Sequence, residues 1–393
     1  MSRRLPPLVA IVLAIACGLP AATAAAAELK TIKTPSMHVD AASVEFNGAD
    51  HPGELLANVL LPDGYDAKRR YPVLFLLHGV GDSYSSWVDP IRGDILNTAA
   101  GLDAIIVMPE AARGFYANWW NDGLRGDPSW ERFYLEKLVP LVERRFAIKS
   151  GRRWHAIAGL SMGGLGATFL GSQLPGYFGS VASFSGFVQH QRPEAGPGLQ
   201  LVAGVPYEEI FGPQDGFYAS GHNPTELAAN LRSSRLYVAV GNGLSSAEEL
   251  FDPLGAVRSG VVEAELFLQA QEFVTAAREA EVDLRYRPQS GIHAWVYWRR
   301  HLREAIEWGL FEKVPAKPTS WDYTTVSQRG EAWGLRYRFA DAPTELETLS
   351  REKDRLRGEG SGELTLRTAA GCRLRVTLPF DRAFPGRDCS KRR

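Results

Sequence analysis

The apolar positions of this chain fall into two regimes. Up to about Lys313, short and nearly unbroken apolar runs alternate with stretches of helical spacing. Tyr71-Pro72-Val73-Leu74-Phe75-Leu76-Leu77 is the clearest run and ends at His78-Gly79; Ala104-Ile105-Ile106-Val107-Met108-Pro109 repeats it. Runs of this kind fit strands buried on both faces of a parallel sheet. His155–Ala158, Ser180–Ser185 and Leu236–Val240 read the same way, and Asp283–Arg287 reads as the final strand. Between them, residues 85–102 leave room for a crossover helix. Trp130–Arg145 places Phe133, Leu135, Leu138 and Val139 at helical spacing, Ala167–Leu174 reads as a helix, and another begins near Trp295. Upstream, Val39–Leu61 reads as a strand pair, with alternation in Ala42–Phe46 and a turn near Gly48. Buried strands alternating with helices predict a doubly wound, mostly parallel α/β sheet.

Beyond Lys313 the period changes. Pro315 and Pro318 mark a linker, after which Leu335–Phe339, Glu363–Arg367 and Arg373–Leu378 alternate with period two. The expectation is a small all-β, sandwich-like domain. The predicted organisation is therefore a leader at 1–27, a catalytic α/β domain at 28–314 and a β domain at 315–393.

The N-terminus motivates the leader. Arg3 and Arg4 precede an apolar run from Leu8 to Leu19, followed by the small residues Ala21–Ala27. That order is a secretory signal with A-x-A cleavage sites, and the run is shorter than the ~20 residues a helical span needs. Cleavage removes Cys17 and leaves Cys372 and Cys389, an even pair that predicts one disulfide in an exported protein. The expected location is outside the cell or in the cell envelope. Lys plus Arg number 44 against 45 for Asp plus Glu, a net charge of -1 that points to no nucleic-acid partner. The eight His residues are dispersed without metal-ligand spacing, so no metal or organic cofactor is expected.

One motif carries chemistry. Gly159-Leu160-Ser161-Met162-Gly163 is G-x-S-x-G, with a strand before it and a helix after it. The serine of this motif occupies a strained strand-to-helix turn, which needs small flanking residues and lifts the hydroxyl toward substrate. This is the nucleophile elbow of the α/β-hydrolase fold, in which the acid and then the histidine follow in chain order. His293, after the last strand and before the helix near Trp295, is the predicted base. By position alone Glu248, Glu249, Asp252, Glu263 and Glu265 all qualify as the acid. The oxyanion hole is expected from the backbone N–H groups of Val80 and Met162. Trp87, Phe115, Tyr116, Trp119, Trp120 and Trp295 are candidates to line a substrate cleft.

The landmarks together resemble a known family. His78-Gly79, Phe115-Tyr116-Ala117-Asn118-Trp119, Phe184-Ser185-Gly186-Phe187, Gly241-Asn242-Gly243 and His293-Ala294-Trp295-Val296-Tyr297-Trp298 join the serine motif. The chain is similar to the esterase D family and, within it, to the secreted mycolyltransferases and diacylglycerol acyltransferases of the antigen 85 type. That resemblance implies a glutamate as third triad member, about ten residues before a phenylalanine. Glu263 stands in that relation to Phe273, with Asp252 and Glu265 as the alternatives. The likeness also has a gap. Mycolyltransferases carry Asp-Gly-Leu-Arg where this chain has His78-Gly79-Val80-Gly81, so the pair that helps hold their trehalose acceptor is absent.

The sequence thus predicts a secreted serine esterase acting on an acyl ester or glycolipid-type substrate through an acyl-serine intermediate. An acyltransferase passing the acyl group to a sugar or glycerol hydroxyl is the alternative within that chemistry. A non-catalytic cell-surface binding protein is the alternative outside it, and the cell envelope is a candidate partner beside the acyl ester.

Overall fold

A computed structural model describes residues 26–35, 54–120, 129–246 and 253–384. Eight strands form the main sheet: β1 (Glu28–Pro35), β2 (Glu54–Leu61), β3 (Val73–Leu77), β4 (Ile105–Pro109), β5 (His155–Leu160), β6 (Ser180–Phe184), β7 (Arg235–Gly241) and β8 (Asp283–Gln289). Their order is β1-β2-β4-β3-β5-β6-β7-β8. The β1-β2 and β2-β4 pairs are antiparallel, and every later pair is parallel.

The continuous apolar runs have a direct cause. Along β3, Val73, Phe75 and Leu77 enter one core while Leu74 and Leu76 enter the other. Ile105 and Val107 against Ile106 and Met108 divide in the same way on β4. Strand side chains alternate between faces, so a strand covered on both sides must be apolar at both parities. Helix Met162–Gln173 packs on one face, and helix Trp295–Trp308 lies in the core on the other. His190, His222 and His301 are fully enclosed, and burial pushes their pKa values down to about 3, 4 and 3. They pack as neutral rings.

Several elements differ from expectation. The edge strand opposite β2 is Glu28–Pro35; the expected strand Ala42–Phe46 lies outside the described residues. Helix Met162–Gln173 starts five positions before the predicted Ala167 because its first turn is glycine-rich and every residue in it is buried, which erases any amphipathic stripe. A long helix, Pro253–Glu279, was not legible at all. It buries Leu266, Phe273 and Val274 yet exposes Val257 and Val261, so its apolar positions do not resolve into one face.

The C-terminal region is all β: β9 (Ser320–Thr325), β10 (Arg329–Ala332), β11 (Leu335–Phe339), β12 (Glu347–Glu352), β13 (Arg355–Glu359), β14 (Glu363–Thr368), β15 (Arg373–Thr377) and β16 (Phe380–Ala383). They form two antiparallel four-stranded sheets, ordered β10-β11-β14-β15 and β16-β13-β12-β9. Trp321, Tyr323, Tyr337, Phe339, Leu356 and Leu366 fill the space between them. The module meets the α/β region through polar contacts: Tyr323 Oη donates to the Gln173 carbonyl at 3.1 Å and Ser327 Oγ to Glu131 Oε1 at 2.8 Å. Asn230 Nδ2 donates to the Thr324 carbonyl at 2.9 Å, and the Thr324 N–H returns a bond to Asn230 Oδ1 at 2.8 Å. Cys372 is buried. Its expected partner Cys389 lies outside the described residues, as does the leader through residue 25. Among the described residues no helix is long and apolar enough to cross a membrane, and no cluster of three or more His, Cys, Asp or Glu is placed to hold a metal ion.

Candidate active site

The site forms at the carboxyl ends of the parallel strands, where open α/β sheets bind ligands. β5 runs into Ser161, whose φ of 54° and ψ of -120° lie outside the ordinary regions for a residue with a side chain. The turn is held by the Ser161 N–H, which donates to the Phe184 carbonyl at 2.9 Å. Its flanking glycines are required by close approach. A Cβ on Gly159 would lie 2.2 Å from the Gly163 carbonyl oxygen, and one on Gly163 would lie 2.6 Å from the carbonyl oxygens of Leu77 and His78.

Three side chains from separate elements converge there. Ser161 Oγ lies 2.9 Å from His293 Nε2, and His293 Nδ1 lies 2.7 Å from Glu263 Oε2. Glu263, on helix Pro253–Glu279, is completely buried. Its other oxygen, Oε1, accepts bonds at 2.6 Å from both the Ser185 hydroxyl and the Gly241 N–H. Ser185 Oγ in turn accepts from Trp298 Nε1 at 3.2 Å. Of the other acids considered from sequence, Glu265 is engaged with Arg192 at 2.8 Å, while Glu248, Glu249 and Asp252 lie outside the described residues. Ser185 and Gly241 stood in recognisable motifs, but nothing in the sequence says that both donate to one carboxylate.

Val80 and Met162 line the same cavity as Ser161 and His293. The Met162 N–H belongs to the first turn of its helix, where N–H groups have no intrahelical acceptor and the helix dipole is positive. The loop carrying Val80 is braced from below. His78 Nδ1 donates to the Gly79 carbonyl at 2.8 Å, and the Asp82 N–H donates to the same oxygen at 3.2 Å. His78 is buried, which works to lower its pKa, but Glu110 and Asp82 outweigh that and leave it raised. A planar trans peptide points its C=O and N–H in opposite directions, so a Gly79 carbonyl fastened toward His78 turns the Val80 N–H away from it.

The cavity has a volume of about 590 Å³ and a mostly apolar wall, with Phe115, Phe187, Leu199 and Leu266 on its inner side. Leu201 and Val261, 87% and 69% exposed, stand at its rim. Of the aromatic candidates only Phe115 lines it. Trp87 and Tyr116 are instead wholly buried, donating to the carbonyls of Leu77 at 3.2 Å and His78 at 2.9 Å. Trp119 donates to the Gly114 carbonyl at 3.2 Å, Trp295 packs between Trp87 and Trp298, and Trp120 packs on Phe217 and Tyr218. These rings shape the loops behind the site because each finds its partner in the protein itself. The apolar wall comes from two helices, Ala195–Ala203 and Pro253–Glu279, which the sequence had not marked.

Sheet order, strand–turn–helix at Ser161 and carboxyl-edge cavity define an α/β-hydrolase. Residues 50–308 match the family model described as "Putative esterase", and the chain belongs to that family. Esterase Rv1288 of Mycobacterium tuberculosis is 33% identical over 197 residues, covering 47% of this chain and 42% of that protein. The match thus spans less than half of that relative's length. Diacylglycerol acyltransferase/mycolyltransferase Ag85A of Mycobacterium leprae is 27% identical over 253 residues, 59% of this chain and 73% of that one. Among solved structures, MPT51 (FbpC1) of Mycobacterium tuberculosis shares the fold with a TM-score of 0.56 at 21% identity, over 72% of this chain and 98% of its own. The resemblance to esterases and to the antigen 85 proteins therefore holds.

Proposed function

We propose that this protein is a serine esterase that cleaves carboxylic esters through an acyl-serine intermediate. The observation that carries the reading is the unbroken hydrogen-bond chain Ser161–His293–Glu263 opening onto an apolar cavity. A serine hydroxyl is a weak nucleophile until a neighbouring base takes its proton. Here His293 Nε2 accepts the Ser161 proton as Oγ attacks the ester carbonyl, and Glu263 holds the ring with Nδ1–H toward it and stabilises the imidazolium. The N–H groups of Val80 and Met162 receive the oxyanion, a contribution typically worth ~3 kcal/mol per donor. The imidazolium then protonates the leaving alcohol. Water, deprotonated by the same His293, attacks the acyl-serine and releases the acid.

Acyl transfer is the second reading, and two observations favour it. The cavity wall suits an acyl chain, and Asp82 at its edge pairs with Arg92 at 3.0 Å. That carboxylate–guanidinium pair offers a hydroxyl-binding patch although the antigen 85 pair is missing at positions 78–81. Export through the N-terminal leader, with the Cys372–Cys389 bond formed outside the cytosol, belongs to the same proposal. It is supported by the Arg3-Arg4, Leu8–Leu19 and Ala21–Ala27 pattern.

The test is labelling and product partition. A fluorophosphonate is expected to modify Ser161 in the purified protein and to leave Ser161→Ala unmodified. Hydrolysis of p-nitrophenyl esters is expected to fall about 10³-fold or more in that variant with folding intact. Equal turnover by Ser161→Ala would overturn the mechanism. With glycerol or trehalose added, free acid as sole product makes the enzyme an esterase; dominant acylated acceptor makes it a transferase.

A further inference from the structure

The two sheets of the C-terminal module have very different outer faces. On the sheet β16-β13-β12-β9 the exposed charges are of both signs, and several of them pair. Arg355 and Arg357 both engage Asp381, at 2.7 and 3.2 Å, and Glu352 accepts from Ser320. On the sheet β10-β11-β14-β15 the outward positions carry Arg329, Arg336, Arg338, Arg367, Arg373 and Arg375 against only two acids, Glu331 and Glu363. Arg329 pairs with Glu136 and Arg336 with Glu331. Arg338, Arg367, Arg373 and Arg375 are exposed and form no side-chain ion pair among the described residues.

The pairing register turns this composition into an array. Arg336 sits directly opposite Arg367, and Arg367 opposite Arg373, giving one arginine on each of three consecutive strands. In the next row Arg338 and Arg375 flank Thr365. A groove of about 670 Å³ lies over this second row, lined by Arg338, Thr365, Arg375, Arg373 and Glu363. Like charges directly opposite each other destabilise a sheet. The neighbouring sheet avoids that cost by alternating signs, whereas this one accepts it in a chain whose net charge is only -1.

We propose that this face binds a linear acidic polysaccharide, a polymer carrying a carboxylate on successive sugars. Guanidinium groups suit the choice because they meet carboxylates through paired N–H donors. The arginines of one row are spaced by the strand separation, about 4.8 Å. That repeat is comparable to the length of one sugar ring, so a chain laid across the strands meets one guanidinium per charged unit. Two other anionic partners fit less well. Among the described residues, none of the large exposed apolar side chains lies on this module, so its described surface offers nothing to enter a lipid surface. Tyr337 and Phe339 point into the core, so the face offers no aromatic platform for nucleic-acid bases.

The experiment is a salt titration of the full-chain protein on immobilised polygalacturonate, read without any ester substrate so that it stands apart from the esterase reading. Dextran serves as neutral polymer, and vesicles of equal phosphatidylglycerol and phosphatidylcholine as lipid surface. Polygalacturonate is expected to bind at low salt with log affinity falling linearly against log salt, and dextran and vesicles to bind far more weakly. The quadruple variant R338Q/R367Q/R373Q/R375Q is expected to bind at least about tenfold more weakly and with a flatter salt slope, because fewer counterions are displaced. Its ester turnover should match the wild type, and its thermal midpoint should equal or exceed it, because opposed like charges are removed. R367Q alone, at the centre of the first row, gives a smaller loss, and R355Q/R357Q on the opposite sheet leaves affinity unchanged. Wild-type affinity in the quadruple variant, absence of binding at low salt, or equal binding to vesicles would each overturn the proposal.

Discussion

Two of the buried glutamates, one beside Ser161 and one at the seam with the β module, are partnered in very different ways. Glu263 beside Ser161 is 0% exposed and Glu131 at the seam with the β module is 3% exposed. Glu263 accepts three donors: the Ser185 hydroxyl, the Gly241 N–H and His293 Nδ1. Glu131 accepts two, from Ser327 Oγ and Asn118 Nδ2, both at 2.8 Å. Burial raises the Glu131 pKa to about 7; the Ser327 bond and Arg132 oppose the shift, and Glu136 adds to it. Donors favour the charged form of a carboxylate and desolvation disfavours it. Glu131 thus changes charge near neutrality, whereas both oxygens of Glu263 are committed to the Ser185 hydroxyl, the Gly241 N–H and His293.

The sharpest way to break that contrast is Glu263→Gln. A glutamine amide cannot accept from both the Gly241 side and His293 Nδ1, so one contact becomes donor against donor or the imidazole adopts the wrong tautomer. The expected result is a loss of about 10³–10⁴-fold in kcat on a p-nitrophenyl ester, with the fold retained. Activity within tenfold of wild type would remove Glu263 from the mechanism. Glu265 offers no ready substitute because Arg192 already holds it.

A smaller effect is expected one bond further out. Ser185 touches no substrate; it fixes Glu263 Oε1 while Trp298 Nε1 fixes the serine oxygen. Removing a hydrogen bond to a charged group costs about 1.5–3 kcal/mol. If that cost falls on the transition state, Ser185→Ala lowers kcat by about 10- to 150-fold with KM within about twofold. Ser185→Thr, which keeps the hydroxyl, is expected to recover most of it. A change confined to thermal stability would show that Ser185 only packs.

Much of this arrangement could be read in advance. Runs such as Val73–Leu77 have only one economical reading, a strand apolar at both parities. G-x-S-x-G together with a histidine after the last strand located two of the converging side chains. The third needed the family resemblance, because several acids between β7 and His293 are equivalent in sequence and only the packing of helix Pro253–Glu279 separates them. The aromatic residues misled for a related reason. Trp and Tyr are large enough to suggest a cleft, yet Trp87 and Tyr116 find backbone acceptors within the fold. The cavity wall stayed hidden because Leu199 and Leu266 lie on helices whose apolar positions face both core and opening. Charge was obscured in another way: a net value near zero says nothing about a sheet that gathers arginine on one face.

The gentlest test concerns the seam. A carboxyl whose folded pKa is raised contributes its full stability at and below the unfolded value, near 4.5, and loses it as pH climbs through the folded value of about 7. Glu131 is thus expected to make the wild type less stable at pH 8 than at pH 5, by on the order of 2 kcal/mol. The groups around it fix the interpretation. Arg132 and Glu136 share its helical segment, Arg329 of the β module is bound to Glu136, and the Ser327 hydroxyl faces Glu131 from the same module. Glu131→Gln keeps the shape and both hydrogen-bonding ends but cannot ionise. Denaturant unfolding at pH 5, 6, 7 and 8 should show a smaller decline for this variant than for the wild type, with its relative advantage growing toward pH 8. Parallel curves for the two proteins would mean that Glu131 keeps one charge state across the range.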